Sequence, residues 1–279
     1  MGGKYCYGVD RAKKDLKMKH VSGIWEKLKK EIERKTIFLL LDYDGTLTPI
    51  VNTPNKANLS VSAKKLLKNL SGISYVKLAV VSGRSLYDIK RMAGLKGIIY
   101  VGNHGLEIDA PGFKFASPVS PRIKAVIQSI SSDLKNRLSG ISGIITENKG
   151  LTLSIHYRLA ARADFIKMRA VLKETVKPYL AVKKIRINKG KKVFEIKPPI
   201  DWSKGHAVLW LFKRLVASLG KKDVLPIYIG DDVTDEDAFR AIKNKGLTIF
   251  VGQPKKSHAQ YYLKDHNEVQ KFLERILVI

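Results

Sequence analysis

Short apolar runs that recur along the chain, with helical segments between them, constrain the fold more than any other feature of the sequence. Five runs stand out, at residues 37–41 (IFLLL), 76–81 (VKLAVV), 97–101 (GIIYV), 225–229 (LPIYI) and 247–251 (LTIFV). Strands that are apolar on both faces are typical of a parallel sheet covered by helices on either side. The sequence therefore predicts an α/β fold built on a Rossmann-like, doubly wound parallel sheet.

Helical segments precede the first two of these runs. A charged segment at about residues 21–34 comes before the first run. The segment SVSAKKLLKNLSG comes before the second, with Ser60 or Ser62 as a candidate N-cap and Gly72 as its stop. We expect residues 1–35 to be a basic N-terminal extension whose helix packs on the surface of the core.

The pattern changes between about residues 115 and 198. Apolar residues keep helical spacing over 123–138, LTLSIHYR (151–158) alternates apolar and polar residues, and a second helical segment covers 163–176. We expect the alternating segment to be a half-exposed strand. The tripeptide Asn188-Lys189-Gly190 is the expected turn of a following hairpin.

Prolines support a boundary around this region, because five of them lie near its edges or between its elements: Pro118, Pro121, Pro178, Pro198 and Pro199. The sequence thus predicts two units. Residues 1–115 and 199–279 form the α/β core, and residues 116–198 form an inserted α+β cap domain.

Composition limits the class of protein. A chain of 279 residues that is 44% hydrophobic can bury a sizeable core. No apolar run approaches the roughly 18 residues of a membrane span, and the charged N-terminus lacks the apolar stretch of a secretion signal, so we expect a cytoplasmic protein without membrane contact. Cys6 is the only cysteine, which excludes an internal disulfide and a zinc site built from several cysteines.

The net charge of +27, from 52 basic and 25 acidic residues, suggests an anionic partner. The lysines are scattered in ones and twos, and no recognised nucleic-acid-binding motif places them on a groove. A solvated basic surface that attracts an anionic small molecule is the preferred interpretation. Binding of nucleic acid by a non-enzymatic protein is kept as a more remote alternative and is not expected.

The segment DYDGTLTPI, residues 42–50, follows the first apolar run directly. Residues i and i+2 of an extended segment point the same way, so Asp42 and Asp44 are expected to project together beyond the carboxyl end of the strand. Ligands bind at that end of open α/β sheets. Two adjacent carboxylates repel each other unless a cation lies between them or one holds a proton, and both arrangements suit phosphoryl transfer. The alternative is that two aspartates only cap a turn.

A second acidic segment, DDVTDED at residues 231–237, also follows an apolar run. It holds five carboxylates, where the average composition of the chain predicts about 0.6. A hard cation such as Mg²⁺ would offset this charge. Acidic residues also favour the first turn of a helix, so Asp231 is a candidate metal ligand while Asp235 to Asp237 are candidate helix-capping residues.

Two further segments suit an anion. Ser82-Gly83-Arg84 follows the second apolar run and offers a hydroxyl and a guanidinium, although a serine-capped turn would have the same sequence. Lys204 lies at the first turn of an amphipathic helix, where free N–H groups favour an anion, although a surface lysine would also fit. The agreement of four segments at strand or helix ends favours a phosphate site over the separate explanations.

Taken together and in order, DYDGTLTPI, VVSGRS, the Lys204 helix and GDDVTDEDAF resemble the four motifs of the haloacid dehalogenase-like phosphatase superfamily. The wording of the first and last motifs, with YVGNHGLEI between them, resembles most closely its trehalose-6-phosphate phosphatase family. The resemblance covers about residues 37–250. It implies a core that binds Mg²⁺ and an α+β cap inserted between the second and third motifs.

Roles at each position follow from the resemblance. Asp42 would be the nucleophile that forms an aspartyl-phosphate, and Asp44 the general acid that later activates water. Mg²⁺ would be held by Asp42, the main-chain carbonyl of Asp44, and Asp231, with Asp232 and Asp235 in support. The phosphate would be bound by Ser82, Gly83 and Lys204. The sugar would be bound by residues of the core and the cap, for which the candidates are Arg84, Asn103, His104, Glu147, Asn148, Lys149, His156, Arg158 and Glu195.

The expected activity is hydrolysis of trehalose 6-phosphate to trehalose and phosphate. An acidic residue at position 44 favours ester hydrolysis, because ion pumps of the same superfamily have threonine there. Another sugar phosphate, such as sucrose 6-phosphate or mannosyl-3-phosphoglycerate, is the alternative substrate. The expected partner is this small-molecule substrate, together with a trehalose-6-phosphate synthase of the same pathway.

Overall fold

The computed structural model describes residues 18–51, 53–220 and 223–279. Cys6 and the first 17 residues of the predicted basic extension lie outside the described residues. The described strands are β1 (Lys19–His20), β2 (Thr36–Asp42), β3 (Val76–Val81), β4 (Ile99–Gly102), β5 (Glu107–Ala110), β6 (Phe113–Ala116), β7 (Ile145–Asn148), β8 (Leu153–His156), β9 (Arg186–Gly190), β10 (Val193–Lys197), β11 (Val224–Gly230), β12 (Leu247–Val251) and β13 (Tyr261–Leu263).

Eight α-helices accompany these strands in the described part of the chain. They are α1 (Trp25–Ile32), α2 (Val61–Ser71), α3 (Leu86–Ala93), α4 (Pro121–Leu138), α5 (Arg162–Ala181), α6 (Lys204–Ser218), α7 (Asp235–Ile242) and α8 (His266–Leu277). The predicted caps of α2 are confirmed, because the Ser60 hydroxyl accepts from the N–H of Ala63 and Gly72 is the C-cap.

A nine-stranded sheet forms the larger layer, in the order β1-β13-β12-β11-β2-β3-β4-β5-β6. All pairs are parallel from β1 to β4, and β5 and β6 extend the edge as antiparallel strands. The doubly wound parallel sheet predicted from the apolar runs is therefore confirmed. The chain passes from β2 to β3 on one side and places β11 on the other, so the sheet has its topological switch at β2.

Side chains along β2 alternate between the two faces of the large sheet and pack on both of them. Leu39 and Leu41 pack with helices α1, α2, α3 and α8, whereas Phe38 and Leu40 pack with α6 and α7. All four side chains are fully buried. Helix α1 adds Leu28 and Ile32 to the first cluster, which confirms the expected helix before the first strand.

A four-stranded antiparallel sheet, in the order β7-β8-β10-β9, forms the smaller layer. Helices α4 and α5 pack on one of its faces through a separate apolar cluster that includes Ile127, Leu134, Ile155, Met168 and Ile196. The other face of this small sheet points toward the carboxyl end of β2, where its polar side chains meet those of the large sheet. This meeting of two sheets creates the cleft described below.

Three details of the region between residues 116 and 198 differ from expectation. The hairpin turn is Lys191-Lys192, because Gly190 pairs with Val193 and the strand β9 therefore includes the predicted turn residues. Strand β8 is not half-exposed, because Ser154 on its polar face is fully buried. Pro178 lies inside α5, which continues because Val176 and Tyr179 on either side pack in the apolar cluster.

No helix in the described ranges combines the length and apolar character that a membrane span requires.

Candidate active site

Asp42 and Asp44 lie where β2 ends, at the switch point of the large sheet. Strand β11 ends beside them and carries Asp231 to the same edge. Gly45 makes this approach possible, because a Cβ atom at this position would overlap the Asp231 carboxylate. Gly45 also has a φ of +87°, which side chains rarely adopt. Glycine is thus required at position 45 for two reasons: the backbone conformation disfavours a side chain, and the Asp231 carboxylate leaves no space for one.

Lys204 joins the two acidic segments. Its Nζ donates to Oδ1 of Asp42 at 2.6 Å and to Oδ1 of Asp235 at 2.8 Å, and its side chain is only 3% exposed. Burial opposes its charge, but Asp235 and Asp42 raise the pKa of Lys204 well above its ordinary value. The first residue of α6 is therefore a buried ammonium and not the surface lysine that the sequence left open.

Asp235 uses both carboxylate oxygens within the protein. Oδ1 accepts from Lys204 and from the hydroxyl of Tyr228 at 2.7 Å. Oδ2 accepts from the backbone N–H groups of Asp231 and Asp232 at 3.0 and 2.9 Å. Asp235 therefore fixes the loop that carries Asp231 and orients Lys204, in addition to beginning helix α7.

Asp42, Asp231 and Asp235 form a buried acidic cluster whose nearest carboxylate oxygens lie within 4.8 Å of one another. It is the one group in the described ranges with three acidic, histidine or cysteine residues so arranged. Burial and the charge of Asp235 raise the pKa of Asp42 well above its ordinary range, although Lys204 opposes this. Burial also raises the pKa of Asp231 to about 6, against the lowering effect of Lys191. The cluster is thus short of positive charge and suits a hard cation.

The loop after β3 faces these carboxylates. Nε of Arg84 donates to Oδ2 of Asp44 at 2.7 Å and Nη2 donates to Oδ1 at 2.5 Å, which is a bidentate pair. The hydroxyl of Ser82 accepts from the backbone N–H of Arg84 at 3.1 Å and is buried. Arg84 therefore fixes the orientation of the second aspartate, a contact that the sugar-binding expectation for Arg84 does not include.

Charged residues of the small sheet cover the other side of the cleft. Nε2 of His156 lies 2.9 Å from Glu147, and Nζ of Lys149 lies 3.9 Å from Glu147 and 3.8 Å from Glu195. Lys149 also donates to the carbonyl of Gly83 at 2.9 Å, which ties the small sheet to the loop after β3. Burial opposes ionisation of Glu147, but Lys149 and His156 lower its pKa to about 2.

Most of the predicted site residues meet in one cleft of about 190 Å³. The predicted residues that line it are Asp42, Asp44, Gly83, Arg84, His104, Glu147, Lys149, His156, Arg158, Glu195, Lys204, Asp231 and Asp232. Ser82, Asn103 and Asp235 are buried behind it. Asn148 does not line the cleft, because it is exposed and its amide donates to Gln128 at 2.6 Å.

Three residues that contact the site were not found from the sequence. Tyr228 lies in the apolar run before Asp231, where a lone phenolic hydroxyl is the only signal. Lys191, in the turn between β9 and β10, donates to the Asp231 carboxylate at 2.5 Å. Lys197 at the end of β10 lies 3.0 Å from Glu195. Among many scattered lysines, nothing local distinguishes these two.

The chain is similar in sequence to known proteins over most of its length. The trehalose-phosphatase family model matches residues 40–267. A probable trehalose-phosphate phosphatase 3 of Oryza sativa subsp. japonica is 34% identical over 95% of this chain and 76% of its own length. Trehalose-phosphate phosphatase B of Arabidopsis thaliana is 35% identical over 87% of this chain and 67% of its own.

Solved structures agree in fold. The crystal structure of a trehalose-6-phosphate phosphatase related protein superposes with a TM-score of 0.74 at 27% identity, covering 86% of this chain and 97% of that one. The C-terminal domain of the C. albicans trehalose-6-phosphate phosphatase has a TM-score of 0.77 at 23% identity, over 94% and 98% of the two chains. The family expected from the four motifs is confirmed, and the chain belongs to the trehalose-phosphatase family.

Proposed function

We propose that this protein is a Mg²⁺-dependent phosphatase that hydrolyses trehalose 6-phosphate to trehalose and phosphate through an aspartyl-phosphate on Asp42. The observation that carries the proposal is the contact of a buried carboxylate, Asp42, with the buried ammonium of Lys204, beside a second carboxylate and beneath a polar cleft. The choice of substrate rests on the names of the similar plant proteins, which are trehalose-phosphate phosphatases.

The residues present fit a magnesium ion. The three buried aspartates offer only oxygen ligands, and Oδ1 of Asp232 is buried with no hydrogen-bond partner among the described residues. Asp42, Asp231 and the carbonyl of Asp44 would hold the ion, while Asp232 and Asp235 would support them. When bound, Mg²⁺ would offset the repulsion between the nucleophile and the phosphate dianion.

Asp42 then attacks phosphorus with a carboxylate oxygen, the new O–P bond forms, and the bond from phosphorus to the sugar oxygen breaks. Asp44 donates a proton to the departing sugar oxygen. In the second half, Asp44 accepts a proton from water, whose oxygen attacks phosphorus and releases phosphate from Asp42. Lys204 stabilises the negative charge on the phosphoryl oxygens, and Gly83 lines the adjoining wall with Ser82 buried behind it.

Residues 116–198 are proposed to be the cap that covers the sugar, with residues 1–115 and 199–279 as the core. The support is the row of charged side chains on the small sheet facing Asp42, namely Glu147, Lys149, Arg158 and Glu195. Paired acids and bases of this kind accept and donate hydrogen bonds to sugar hydroxyl groups, and a site built for hydroxyls rejects analogues that lack them. A trehalose-6-phosphate synthase is the reaction partner that would supply the substrate.

Phosphate release from a panel of sugar phosphates tests the proposal. We expect trehalose 6-phosphate to be hydrolysed fastest, with activity lost on chelation of divalent ions and restored by Mg²⁺. An Asp42→Asn variant is the control for contaminating phosphatases. Faster hydrolysis of sucrose 6-phosphate or mannosyl-3-phosphoglycerate would contradict the proposed substrate but would still support the proposed phosphatase mechanism. If no ester releases phosphate and the protein binds DNA tightly at physiological salt, the proposal that it is an enzyme would be contradicted.

A further inference from the structure

Two residues after β4, Asn103 and His104, have left-handed backbone conformations, with φ of +48° and +57°. Left-handed φ values are uncommon for residues other than glycine and cost free energy unless surrounding contacts hold them. We call these two residues the 103–104 corner. Contacts on both sides of the corner hold these two residues in that conformation.

On the core side, the 103–104 corner lies on the loop after β3. The backbone N–H of Asn103 donates to the carbonyl of Arg84 at 2.6 Å, and that of His104 donates to the carbonyl of Ser82 at 3.1 Å. A Cβ atom on Gly83 would overlap the His104 ring. Gly83 is therefore needed for close packing of the imidazole against the proposed phosphate-binding loop.

On the cap side, both side chains of the corner bind residues of the small sheet and its loops. The Asn103 amide donates to the carbonyl of Lys149 at 3.1 Å and accepts from the Thr152 hydroxyl at 2.7 Å. Nε2 of His104 lies 2.5 Å from Oε1 of Glu195. The corner therefore connects the phosphate-binding side of the cleft with the charged side chains on its cap side.

The pairing of His104 with Glu195 has one consistent hydrogen arrangement. Burial lowers the pKa of His104 to about 4, so the ring is neutral at pH 7 and carries a single N–H. Burial opposes ionisation of Glu195, but the contact with His104 and the charges of Lys197 and Lys149 hold its pKa well below the ordinary range, so Glu195 is an acceptor. The N–H therefore lies on Nε2 and donates to Oε1. Nδ1 is buried and has no partner among the described residues.

Glu195 lines the cleft and is 8% exposed, with ammonium groups on two sides. Without the imidazole, its carboxylate could turn toward Lys149 and Lys197. The imidazole N–H binds Oε1 on the side of the core. This hydrogen bond sets the orientation of the Glu195 carboxylate in the cleft.

We propose that His104 is a positioning residue for substrate specificity, which fixes the Glu195 carboxylate toward the sugar through a hydrogen bond from Nε2. This rests on the proposed function, since it names how that site distinguishes its substrate. His104 then acts through Glu195 and not by touching the reacting atoms. The sugar-binding role expected for His104 from the sequence becomes an indirect one.

A matched pair of variants tests this proposal. His104→Gln keeps an N–H donor at the position of Nε2, whereas His104→Met has similar length and no donor, and both carry the same left-handed backbone. The readout is kcat/KM for trehalose 6-phosphate divided by kcat/KM for p-nitrophenyl phosphate, an ester without a sugar. We expect this ratio to fall about tenfold to a hundredfold in His104→Met and to recover mainly in His104→Gln.

A double-mutant comparison tests whether His104 acts through Glu195. If His104 acts through Glu195, adding His104→Met to Glu195→Gln lowers the ratio no further than Glu195→Gln alone. Equal losses on both substrates, or additive losses in the double variant, would overturn the proposal. Wild-type protein that hydrolyses p-nitrophenyl phosphate but not trehalose 6-phosphate would instead contradict the proposed substrate, and the ratio would then be measured with the sugar phosphate hydrolysed fastest.

A measurement on the unaltered side chain covers the case in which the His104 variants do not fold. Nitrogen-15 NMR of the full chain reports the protonation of each imidazole nitrogen. We expect neutral His104 with its proton on Nε2 at pH 7, and a shift of that signal in Glu195→Gln. A proton on Nδ1, or a signal insensitive to Glu195→Gln, would overturn the proposal.

Discussion

Lys204 and Asp42 are hydrogen bonded at 2.6 Å although 162 positions separate them in the chain. The pair joins the end of the central strand β2 to the start of helix α6, and both side chains are buried. Because Lys204 also binds Asp235, one ammonium serves two buried carboxylates. This shared ion pair fixes the relation between the first and last acidic segments of the site.

Removal of the Lys204 charge should destabilise the protein. Lys204→Met leaves Asp42 and Asp235 buried without their cation, and breaking a buried pair in this way costs about 3–5 kcal/mol. Urea unfolding measures the loss in the free energy of unfolding. Lys213→Met, at an exposed position of the same helix, is the control and should change it by less than about 0.5 kcal/mol. Equal effects of the two variants would show that the buried ion pair contributes nothing.

Magnesium should stabilise the folded protein through Asp231. A ligand that binds only the folded state at about 100 times its Kd adds about 2.7 kcal/mol to stability, so the melting temperature should rise with Mg²⁺ and saturate. Asp231→Asn should abolish this rise. Asp237→Asn, in the same acidic segment but paired with Arg240, should retain it. A full magnesium response in Asp231→Asn would place the metal elsewhere.

Gly45→Ala tests the close approach of the two acidic strand ends. Gly97 is the matched control, because its φ is +76° and a Cβ atom there would meet nothing within 4 Å. Gly97→Ala should therefore cost only the backbone strain, about 1–2 kcal/mol. Gly45→Ala adds overlap with the Asp231 carboxylate and should cost more, with loss of phosphatase activity. Unfolding curves and phosphate release check the two effects, and similar results for both variants would exclude the steric requirement.

Acid should destabilise the protein through His104. The pKa of this buried ring is lowered from 6.5 to about 4, so the unfolded state binds the proton first as pH falls. Stability should decline between pH 6.5 and 4 by about 3 kcal/mol from this group, and no further below pH 4. His104→Gln lacks the titrating ring, so its stability should decline less over that range. Parallel stability curves for the two proteins would contradict the buried neutral imidazole.

Much of the fold was predictable because apolar runs report strands buried on both faces. The runs at 76–81 and 247–251 coincide with β3 and β12. The antiparallel strands β5 and β6 were not predicted. They are four residues each and include polar residues such as Glu107 and Asp109, so their local pattern is weak.

The candidate site was predictable where neighbouring residues carry the signal, as in the i, i+2 spacing of Asp42 and Asp44. It was not predictable where the contact depends on how two layers meet. The polar face of β8 is typical of solvent exposure when seen alone, yet Ser154 on it is fully buried and His156 lines the cleft. The bond from Lys191 to Asp231 likewise requires the small sheet to lie over the large one.

Identification of the phosphorylated residue tests the central claim, that Asp42 is the nucleophile, most directly. Asp44→Asn removes the proposed acid and base while leaving Asp42 in place. With p-nitrophenyl phosphate, whose leaving group departs without a proton, formation of the intermediate continues while its hydrolysis lacks a base, so acid-quenched reactions of this variant should accumulate the intermediate. Mass spectrometry of its peptides should find one phosphoryl group on Asp42, and Asp42→Asn should show neither this adduct nor phosphate release. A phosphoryl group on another residue, or sustained turnover by Asp42→Asn, would contradict the claim.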